Sequence, residues 1–339
     1  MNKRLKQLFS INSHKVSEFI QDAYRIEVSK NPVRIKGGTE SSVWIIQDNK
    51  DDQYILKIFG DLECPIGRVL EEGKLYRYLN KYSVNVPKVI TTKDNKYAYE
   101  LKYGSEKFPV MLMRFEKLHE EKPSKISDKK LSIIGGTIGK MHQVLSVYPD
   151  KKDYFRMNFP DWLIREDIKK KIEGSPSLKR IQKEDINLFI NHFCNISKLK
   201  EKYSNYKNLS ISILHTDLAF EHTPFLPNGE VYIFDFADRF IGPVCFELGY
   251  MFAQYFKVGT ISFKRWEYIT KIVLESYQTQ KQLSEDDINA IPITITLRIL
   301  ASVRYLIELG KKMQKPMGVK GIERMLKLLR YIDKKNLLF

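Results

Sequence analysis

The sequence has few cysteines and no long apolar run. Its three cysteines, Cys64, Cys194 and Cys245, form neither a disulfide framework nor the paired spacing of a zinc site. No apolar run reaches the roughly 18 residues that a membrane-spanning helix needs. The first residues are basic but lack the apolar segment of about 7–15 residues that is typical of a secretory signal. These absences favour a cytoplasmic protein without a membrane span.

Acidic residues are in the minority. The chain has 57 Lys and Arg against 41 Asp and Glu, which gives a net charge of +16. Such a balance can indicate affinity for nucleic acid or membrane surfaces, an anionic substrate, or basic residues spread over solvated faces. Because the lysines are dispersed and no known nucleic-acid motif occurs, we favour the third explanation and expect no nucleic-acid partner.

Residues 212–238 carry the polar clusters on which the interpretation of the chain depends. A short apolar run ends in His215 and Asp217, and a second apolar run at 231–234 ends in Asp235. A Pro-Asn-Gly turn signal lies between the two runs. We interpret the runs as two strands of a tight hairpin, which would bring both polar clusters to the same end.

Two carboxylates at one edge suit phosphoryl transfer. One carboxylate orients an attacking hydroxyl, and the other helps to hold the magnesium that bridges the phosphates. The pattern of His215, Asp217 and His222, followed by Ile-Phe-Asp-Phe around Asp235, resembles the signature of the aminoglycoside phosphotransferase / choline kinase-type family. That signature has Asn where this chain has His222.

The resemblance implies an α+β, bilobal protein-kinase-like fold. A small β-rich nucleotide-covering lobe would occupy residues 1–114, and a larger, mostly helical lobe with the catalytic and substrate sites would occupy residues 115–339. The implied activity is ATP-dependent transfer of a phosphoryl group to a hydroxyl of a small molecule, with Mg²⁺ as the metal. Polycationic aminoglycosides are disfavoured as acceptors, since their site should be strongly acidic.

The family pattern also implies the role of each acidic or basic residue in these clusters. Asp217 would be the catalytic carboxylate, and His215 would brace its loop. Asp235 would hold the metal with help from His222, and Asp238 would support that turn. A neutral histidine offers a softer ligand than the amide oxygen of Asn, so His222 is either a metal ligand or a structural residue. Glu247 stands where the family usually has Asp and would brace the loop by accepting backbone N–H bonds.

The first lobe has the order of features that the family uses for nucleotide binding. A Gly-Gly turn lies between two β-like runs, and Lys57 follows in an apolar strand. The next helix carries Glu72 as the expected partner of Lys57, with Glu71 as the alternative. An apolar run at 109–115 would lead into the hinge that contacts adenine. The expected nucleotide-binding residues are Gly38, Thr39, Ser41, Ser42, Lys57, Glu72, Met113 and Phe115.

Helical periodicity dominates the remainder of the chain. The patterns predict a helix capped by Ser127, one over 183–203, a short helix capped by Ser284, and another over 292–312. Proline at position 292 separates the last two.

Two other functions remain open. One is a binding or scaffold protein on a degenerate kinase fold, for which the changes at His222 and Glu247 would mark lost catalysis. The other is a protein kinase, which is disfavoured because the sequence lacks both G-x-G-x-x-G and D-F-G. The sequence does not name the acceptor, which we expect to be an amino alcohol, a sugar or an antibiotic, and it does not separate ATP from GTP.

Overall fold

The computed structural model describes residues 3–35, 41–60, 65–150, 154–164, 167–258 and 261–335, apart from the side chain of Trp162. The chain forms two compact units. The first is Met1–His119 with Leu226–Ala237, and the second is Glu120–Phe225 with Asp238–Phe339.

The first unit is built on an antiparallel sheet. The described strands have the order β1-β2-β3-β6-β4, and β5 pairs with β6. Its elements are α1 (Lys3–Ser10), α2 (Ser13–Tyr24), β1 (Val33–Ile35), β2 (Ser41–Gln47), β3 (Gln53–Phe59), α3 (Ile66–Lys81), β4 (Val89–Ile90), β5 (Tyr99–Tyr103) and β6 (Glu106–Arg114).

Alternating burial gives this sheet two different faces. Successive side chains on a strand point to opposite faces, so Trp44 on β2 and Leu56 on β3 share a face. They pack with apolar residues of α1 and α2 in one buried cluster. Lys57 lies between two buried residues of β3 and therefore points to the other face, where its register partners are Val43 and Met111.

The predicted hairpin between the two apolar runs of the central stretch is wrong. β7 (Ile211–Leu214) pairs antiparallel with β8 (Phe240–Pro243) instead. The run at 231–234 belongs to the first unit, where the N–H of Ile233 donates to the carbonyl of Asn85 at 2.9 Å. Ile233 is fully buried. The apolar run therefore buries itself in the first unit, and this places Asp235 in the first unit and Asp217 in the second.

The second unit is mostly helical. Its two described strands, β7 and β8, form a separate small sheet. Short 3-10 turns cover Asp161–Leu163, Pro176–Arg180 and Phe220–His222. Its helices are α4 (Asp128–Ser146), α5 (Ile168–Ile172), α6 (Lys183–Cys194), α7 (Ile196–Tyr203), α8 (Val244–Val258), α9 (Phe263–Gln278), α10 (Glu285–Met313) and α11 (Val319–Lys334).

Close helix packing in this unit depends on glycine. A Cβ on Gly135 of α4 would collide with the carbonyl oxygen of Val273 on α9, and a Cβ on Gly139 would collide with that of Tyr277. The two glycines are four residues apart, so they lie on one face of α4. Their missing side chains let the two helix backbones approach.

Helix α10 differs from its prediction, which ended a short helix before Pro292. The predicted cap is confirmed, because Ser284 and Asp287 form a capping box. The helix then continues through Pro292 as one element. An interior proline costs about 3 kcal/mol. Burial of side chains such as those of Ile293 and Leu297 offsets that cost.

The predicted helix over 183–203 is also two elements, α6 and α7. They meet at Asn195, whose side-chain amide donates to the carbonyl of Asn191 at 2.8 Å. Asparagine competes with regular helical hydrogen bonds in this way, so the chain can change direction there.

Among the described residues, α10 is the helix that is long and apolar enough to cross a membrane by length and composition alone. Within its most apolar 18-residue window, 61% is buried inside the protein. The buried residues include Ile293, Leu297 and Leu300, and α10 packs against α8. Core packing therefore accounts for the apolar composition of this helix.

Candidate active site

In the first unit, the polar residues gather around Asp235. Lys57 Nζ donates to Asp235 Oδ1 at 2.7 Å. Asp235 has a positive φ of 73°, a backbone conformation that is uncommon for a residue other than glycine. Its neighbours must therefore hold it in place, and the ion pair with Lys57 is one of these restraints.

A second restraint on Asp235 comes from Tyr76 of α3, a residue that the sequence reasoning missed. The Tyr76 hydroxyl donates to Glu72 Oε1 at 2.7 Å and accepts the N–H of Asp235 at 2.9 Å. Burial raises the pKa of Tyr76 well above 10, and the nearby carboxylates of Glu72 and Asp235 raise it further. The hydroxyl thus stays protonated and joins α3 to Asp235. The available signal was a tyrosine four residues after the acid on the same helix.

The two adjacent acids of α3 have different surroundings. Glu72 is almost fully buried and accepts a hydrogen bond from the Tyr76 hydroxyl. Glu71 is half-buried and accepts from Lys74 at 2.7 Å. Of the two, only Glu72 is thus linked to Asp235, and the predicted ion pair of Glu72 with Lys57 remains a prediction. Nearby, Arg68 Nη2 donates to the carbonyl of Ala237 at 2.5 Å, which fixes the turn that follows Asp235.

The other expected nucleotide-binding residues lie along the sheet. Gly38 and Thr39 fall outside the described residues. Ser41 shares the face of Lys57, whereas the Ser42 side chain is buried on the opposite face, so only the backbone of Ser42 is available for the predicted contact.

The predicted hinge lies at the end of β6. Met113 is buried and pairs with Ile55 of β3. The N–H of Phe115 donates to the carbonyl of Gln53 at 3.0 Å. A contact from Phe115 to adenine would therefore use its carbonyl or side chain.

In the second unit, Glu247 braces the loop that carries Asp217, as predicted from the sequence. Its carboxylate accepts the N–H of His215 and, at 3.0 Å and 3.1 Å, the N–H of Thr216. Thr216 has a φ of 73°, which is strained for a β-branched residue. The Thr216 hydroxyl also donates to the carbonyl of Asp238 at 3.1 Å. The buried carboxylate of Glu247 therefore stabilises an unfavourable backbone conformation of the loop.

Glu247 is fully buried beside His142. Burial alone would raise the pKa of Glu247, but His142, whose Nε2 lies 3.8 Å from Glu247 Oε2, the neighbouring His215 and the N–H of Thr216 together hold it below its ordinary value. Burial lowers the pKa of His142, whose Nδ1 lies 2.8 Å from the hydroxyl of Tyr277. Glu247 is thus ionised and His142 neutral at neutral pH, so the acid can accept both backbone N–H groups.

The two histidines of the motif hold their protons on different nitrogens. His215 Nδ1 accepts the N–H of Asp217 at 3.3 Å, a contact within the loop that His215 is predicted to brace. His222 Nδ1 lies 2.5 Å from the carbonyl of Asp217. A carbonyl can only accept, so His222 carries its proton on Nδ1, and the lone pair of the neutral ring is on Nε2. This is the tautomer that a metal-binding histidine has when a backbone carbonyl orients it.

Sequence reasoning also missed Arg298 of α10. Arg298 Nη2 donates to Asp217 Oδ1 at 3.1 Å. Its guanidinium lies over the ring of Tyr250, 5.0 Å from the ring centroid. The available signal was a single arginine in an otherwise apolar stretch of helix, because such a charge needs a partner. The Asp217 side chain is nevertheless 43% exposed, so the carboxylate remains accessible.

Comparison with known proteins decides the family. A sequence profile of the phosphotransferase enzyme family matches residues 32–265, more than half of the chain. The chain belongs to this family. The family resemblance inferred from the motif around Asp217 and Asp235 is thereby confirmed. No curated protein matches the chain in sequence.

Solved structures of small-molecule kinases share the fold of this family member. An amicoumacin kinase in complex with AMP-PNP, Ca²⁺ and Ami has a TM-score of 0.73 at 17% identity, covering 99% of this chain and 97% of that one. A microcompartment-associated aminopropanol kinase has a TM-score of 0.71 at 14% identity, covering 96% and 99%. A choline kinase from Cryptosporidium parvum has a TM-score of 0.65 at 12% identity, covering 96% of each chain. The predicted α+β, protein-kinase-like fold is therefore confirmed.

The residues near Asp235 could hold a magnesium ion that is bound to the phosphates of a nucleotide. The described residues contain no group of three or more His, Cys, Asp or Glu that could hold a metal. Mg²⁺ is usually held by only one or two carboxylates together with the phosphates of its substrate. The carboxylate of Asp235, with the Lys57 ammonium beside it, fits a phosphate-bound Mg²⁺ of this kind. His222 Nε2 is a softer donor and fits Mg²⁺ less well.

Proposed function

We propose that this phosphotransferase is a cytoplasmic small-molecule kinase that uses ATP and Mg²⁺. It transfers the γ-phosphoryl group to a hydroxyl of an amino alcohol, a sugar or an antibiotic. The observation that carries the proposal is the partly exposed Asp217 carboxylate on a loop fixed by buried Glu247. The family match and the fold shared with a kinase in complex with AMP-PNP support it.

The proposed nucleotide residues lie in the first unit. Lys57 contacts the phosphates, and Glu72 orients Lys57 together with Tyr76. Backbone amides within residues 38–42 approach the phosphates, and the segment at the end of β6 contacts the adenine. The residues proposed for these backbone contacts are Gly38, Thr39, Ser41, Ser42, Met113 and Phe115. We retain residues 1–114 as the nucleotide-covering lobe and add the segment Leu226–Ala237, which groups with it.

The proposed metal ligands are Asp235 and His222. Bound Mg²⁺ would neutralise negative charge on the phosphates. Asp235 supplies a hard carboxylate oxygen, and the positive φ of this residue sets the direction of its side chain. His222 holds its proton on Nδ1, which leaves Nε2 as its donor atom.

The proposed acid–base residues lie in the rest of the chain, residues 115–339. Asp217 accepts a hydrogen bond from the acceptor hydroxyl and aligns that oxygen for attack. As the oxygen bonds to the γ-phosphorus, the bond from that phosphorus to the β,γ-bridging oxygen of ATP breaks and ADP leaves, while the proton of the hydroxyl passes to the Asp217 carboxylate. His215 and Glu247 act through the loop backbone and touch neither reactant, so they are positioning residues.

Asp217→Asn tests this proposal. The variant should bind ATP as the wild type does and lose about 10²–10⁴-fold in turnover, the usual contribution of a positioned base. The assay follows ADP formation with a panel of amino alcohols, sugars and antibiotics. Asp161→Asn is the matched control, since Asp161 is an exposed acid in the same unit that pairs with Lys200.

Two outcomes would contradict the proposal. Asp217→Asn with wild-type turnover would remove Asp217 from the reaction. Nucleotide binding without turnover of any acceptor would favour the scaffold alternative.

A further inference from the structure

Arg298 is fixed beside the catalytic carboxylate. Its guanidinium is held by the Tyr250 ring and by Asp217 Oδ1, and its side chain is only 20% exposed. Guanidinium has five N–H donors, and the bond to Asp217 uses one of them. Within the described part of the chain, the Nε of Arg298 is buried and has no hydrogen-bond partner. Arg298 therefore has donor capacity that the contacts seen here do not use.

A second cation shares this neighbourhood. Lys257 lies near the end of α8, half-buried, and its aliphatic chain passes beside Gly321 of α11. Burial lowers the pKa of Lys257, the charge of Arg298 lowers it further, and Asp217 and Glu221 raise it. Lys257 is therefore a second cation whose charge interacts with those of Arg298 and Asp217.

The charges around Asp217 are therefore balanced. Two acids, Asp217 and Glu221, face two cations, Arg298 and Lys257. Within the part of the chain that the structure describes, these four groups leave no surplus negative charge beside Asp217 to hold an ammonium group of an acceptor. The unused binding capacity consists of N–H donors, and a planar guanidinium matches a carboxylate in geometry as well as in charge.

We propose that the acceptor carries an anionic group, a carboxylate or a similar oxyanion, near the hydroxyl that is phosphorylated. Arg298 binds this group and thereby determines specificity, while Asp217 receives the hydroxyl. The inference rests on the proposed function and narrows its acceptor class from alcohols in general to hydroxy acids and similar anionic alcohols.

Two triplets of probes test the inference, because the members of each triplet differ mainly in charge. They are glycerate, glyceramide and 3-amino-1,2-propanediol, and the larger gluconate, gluconamide and glucamine. Affinities are measured by ligand-observed NMR in the presence of AMP-PNP and Mg²⁺. At least one anionic probe should bind about tenfold or more tightly than its neutral partner, the gain expected for a hydrogen-bonded charge pair. The cationic probe should bind most weakly.

Variants then assign the preference to Arg298. Arg298→Gln should reduce the anion preference to less than about threefold, and Arg298→Lys should keep part of it. Arg304→Gln is the matched control, since Arg304 lies on the same helix, is similarly buried and pairs with Glu308. It should leave the preference unchanged. Thermal unfolding checks that each variant is folded. If Arg298→Gln is not folded, Lys257→Gln replaces it and should also reduce the anion preference.

Several outcomes would overturn the inference. They are tighter binding of the cationic probe, no measurable binding of either anionic probe, and an anion preference that survives in Arg298→Gln. The proposed function fails separately. If the anionic probes bind with the expected preference but ATP is never consumed with any acceptor, the anion site stands and the phosphotransferase activity does not.

Discussion

Replacing Glu247 by glutamine tests how the loop that carries Asp217 is held. The change keeps the shape of the side chain and removes its charge. The carboxylate accepts the N–H of Thr216 on both oxygens and the N–H of His215 on one of them. Glutamine has a single acceptor oxygen, so whichever way its amide is turned, its NH₂ group faces one of these backbone donors.

Because an NH₂ group would face a backbone N–H donor, Glu247→Gln should destabilise the folded protein. A hydrogen bond to a charged group contributes about 1.5–3 kcal/mol, and a buried donor left without a partner costs about 1–3 kcal/mol. Because Glu247 is fully buried, water cannot replace the lost acceptor. We therefore expect a loss of about 2–4 kcal/mol in the free energy of unfolding. We also expect lower turnover, because Thr216 would no longer be held at its positive φ.

Glu247→Asp gives a graded comparison, since aspartate is the usual residue of the family at this position. It keeps the charge but is one methylene shorter, so the carboxylate retreats by about 1.5 Å. The loss should be smaller, about 1–2 kcal/mol, from the missing methylene and the lengthened hydrogen bonds. Glu71→Gln is the control, because Glu71 is half-buried and pairs only with Lys74 in the contacts resolved here.

Urea unfolding followed by circular dichroism measures these differences, and its pH dependence gives a second test. The pKa of folded Glu247 lies below its ordinary value, so its contribution to stability is present above about pH 4.5. That contribution is lost as the pH falls through the folded pKa. The gap between wild type and Glu247→Gln should therefore narrow in acid. Equal stability at pH 7, or a gap that widens in acid, would refute the reasoning.

Three further changes test the remaining contacts. Lys57→Ala should raise the KM for ATP about tenfold or more without affecting acceptor binding, whereas Lys107→Ala on an exposed strand position should change neither. Tyr76→Phe should lower the free energy of unfolding by about 1–3 kcal/mol in urea titrations, and Tyr97→Phe, which removes an exposed hydroxyl, should do so by less than about 0.5 kcal/mol. His222→Asn should lower the relative affinity for Mn²⁺ over Mg²⁺ in paramagnetic-resonance titrations; identical profiles would show that His222 does not contact the metal.

The sequence predicted the fold because its signals are local. The motif around Asp217, the capping residues and the alternation of apolar residues each depend on neighbours within a few positions. The brace at Glu247 could be predicted for the same reason, since the family pattern places an acid there. The hairpin prediction failed because an apolar run of four residues does not specify its partner. The segment 231–234 buries itself in the first unit, where its backbone bonds to Asn85.

The partners of the motif acids could not be predicted, because they are distant in sequence. Tyr76 is 159 residues from Asp235, and Arg298 is 81 residues from Asp217. A buried or half-buried acid requires a hydrogen-bonding or charged partner, but the requirement does not say which helix supplies it. Only the folded structure shows that α3 supplies a partner of Asp235 and that α10 supplies a partner of Asp217.

Members of the family can share the motif and still differ in the residues that surround it. The motif fixes which acids are present, while residues outside the motif fix how each acid is held and what charge lies beside it. In this chain Asp217, the proposed catalytic acid, is held by an arginine of α10, and its loop is held by a glutamate of α8. A relative with the same motif but a neutral or acidic residue in place of Arg298 would keep its reaction. It would present a different charge to the acceptor, so acceptor specificity can change while every residue of the motif stays the same.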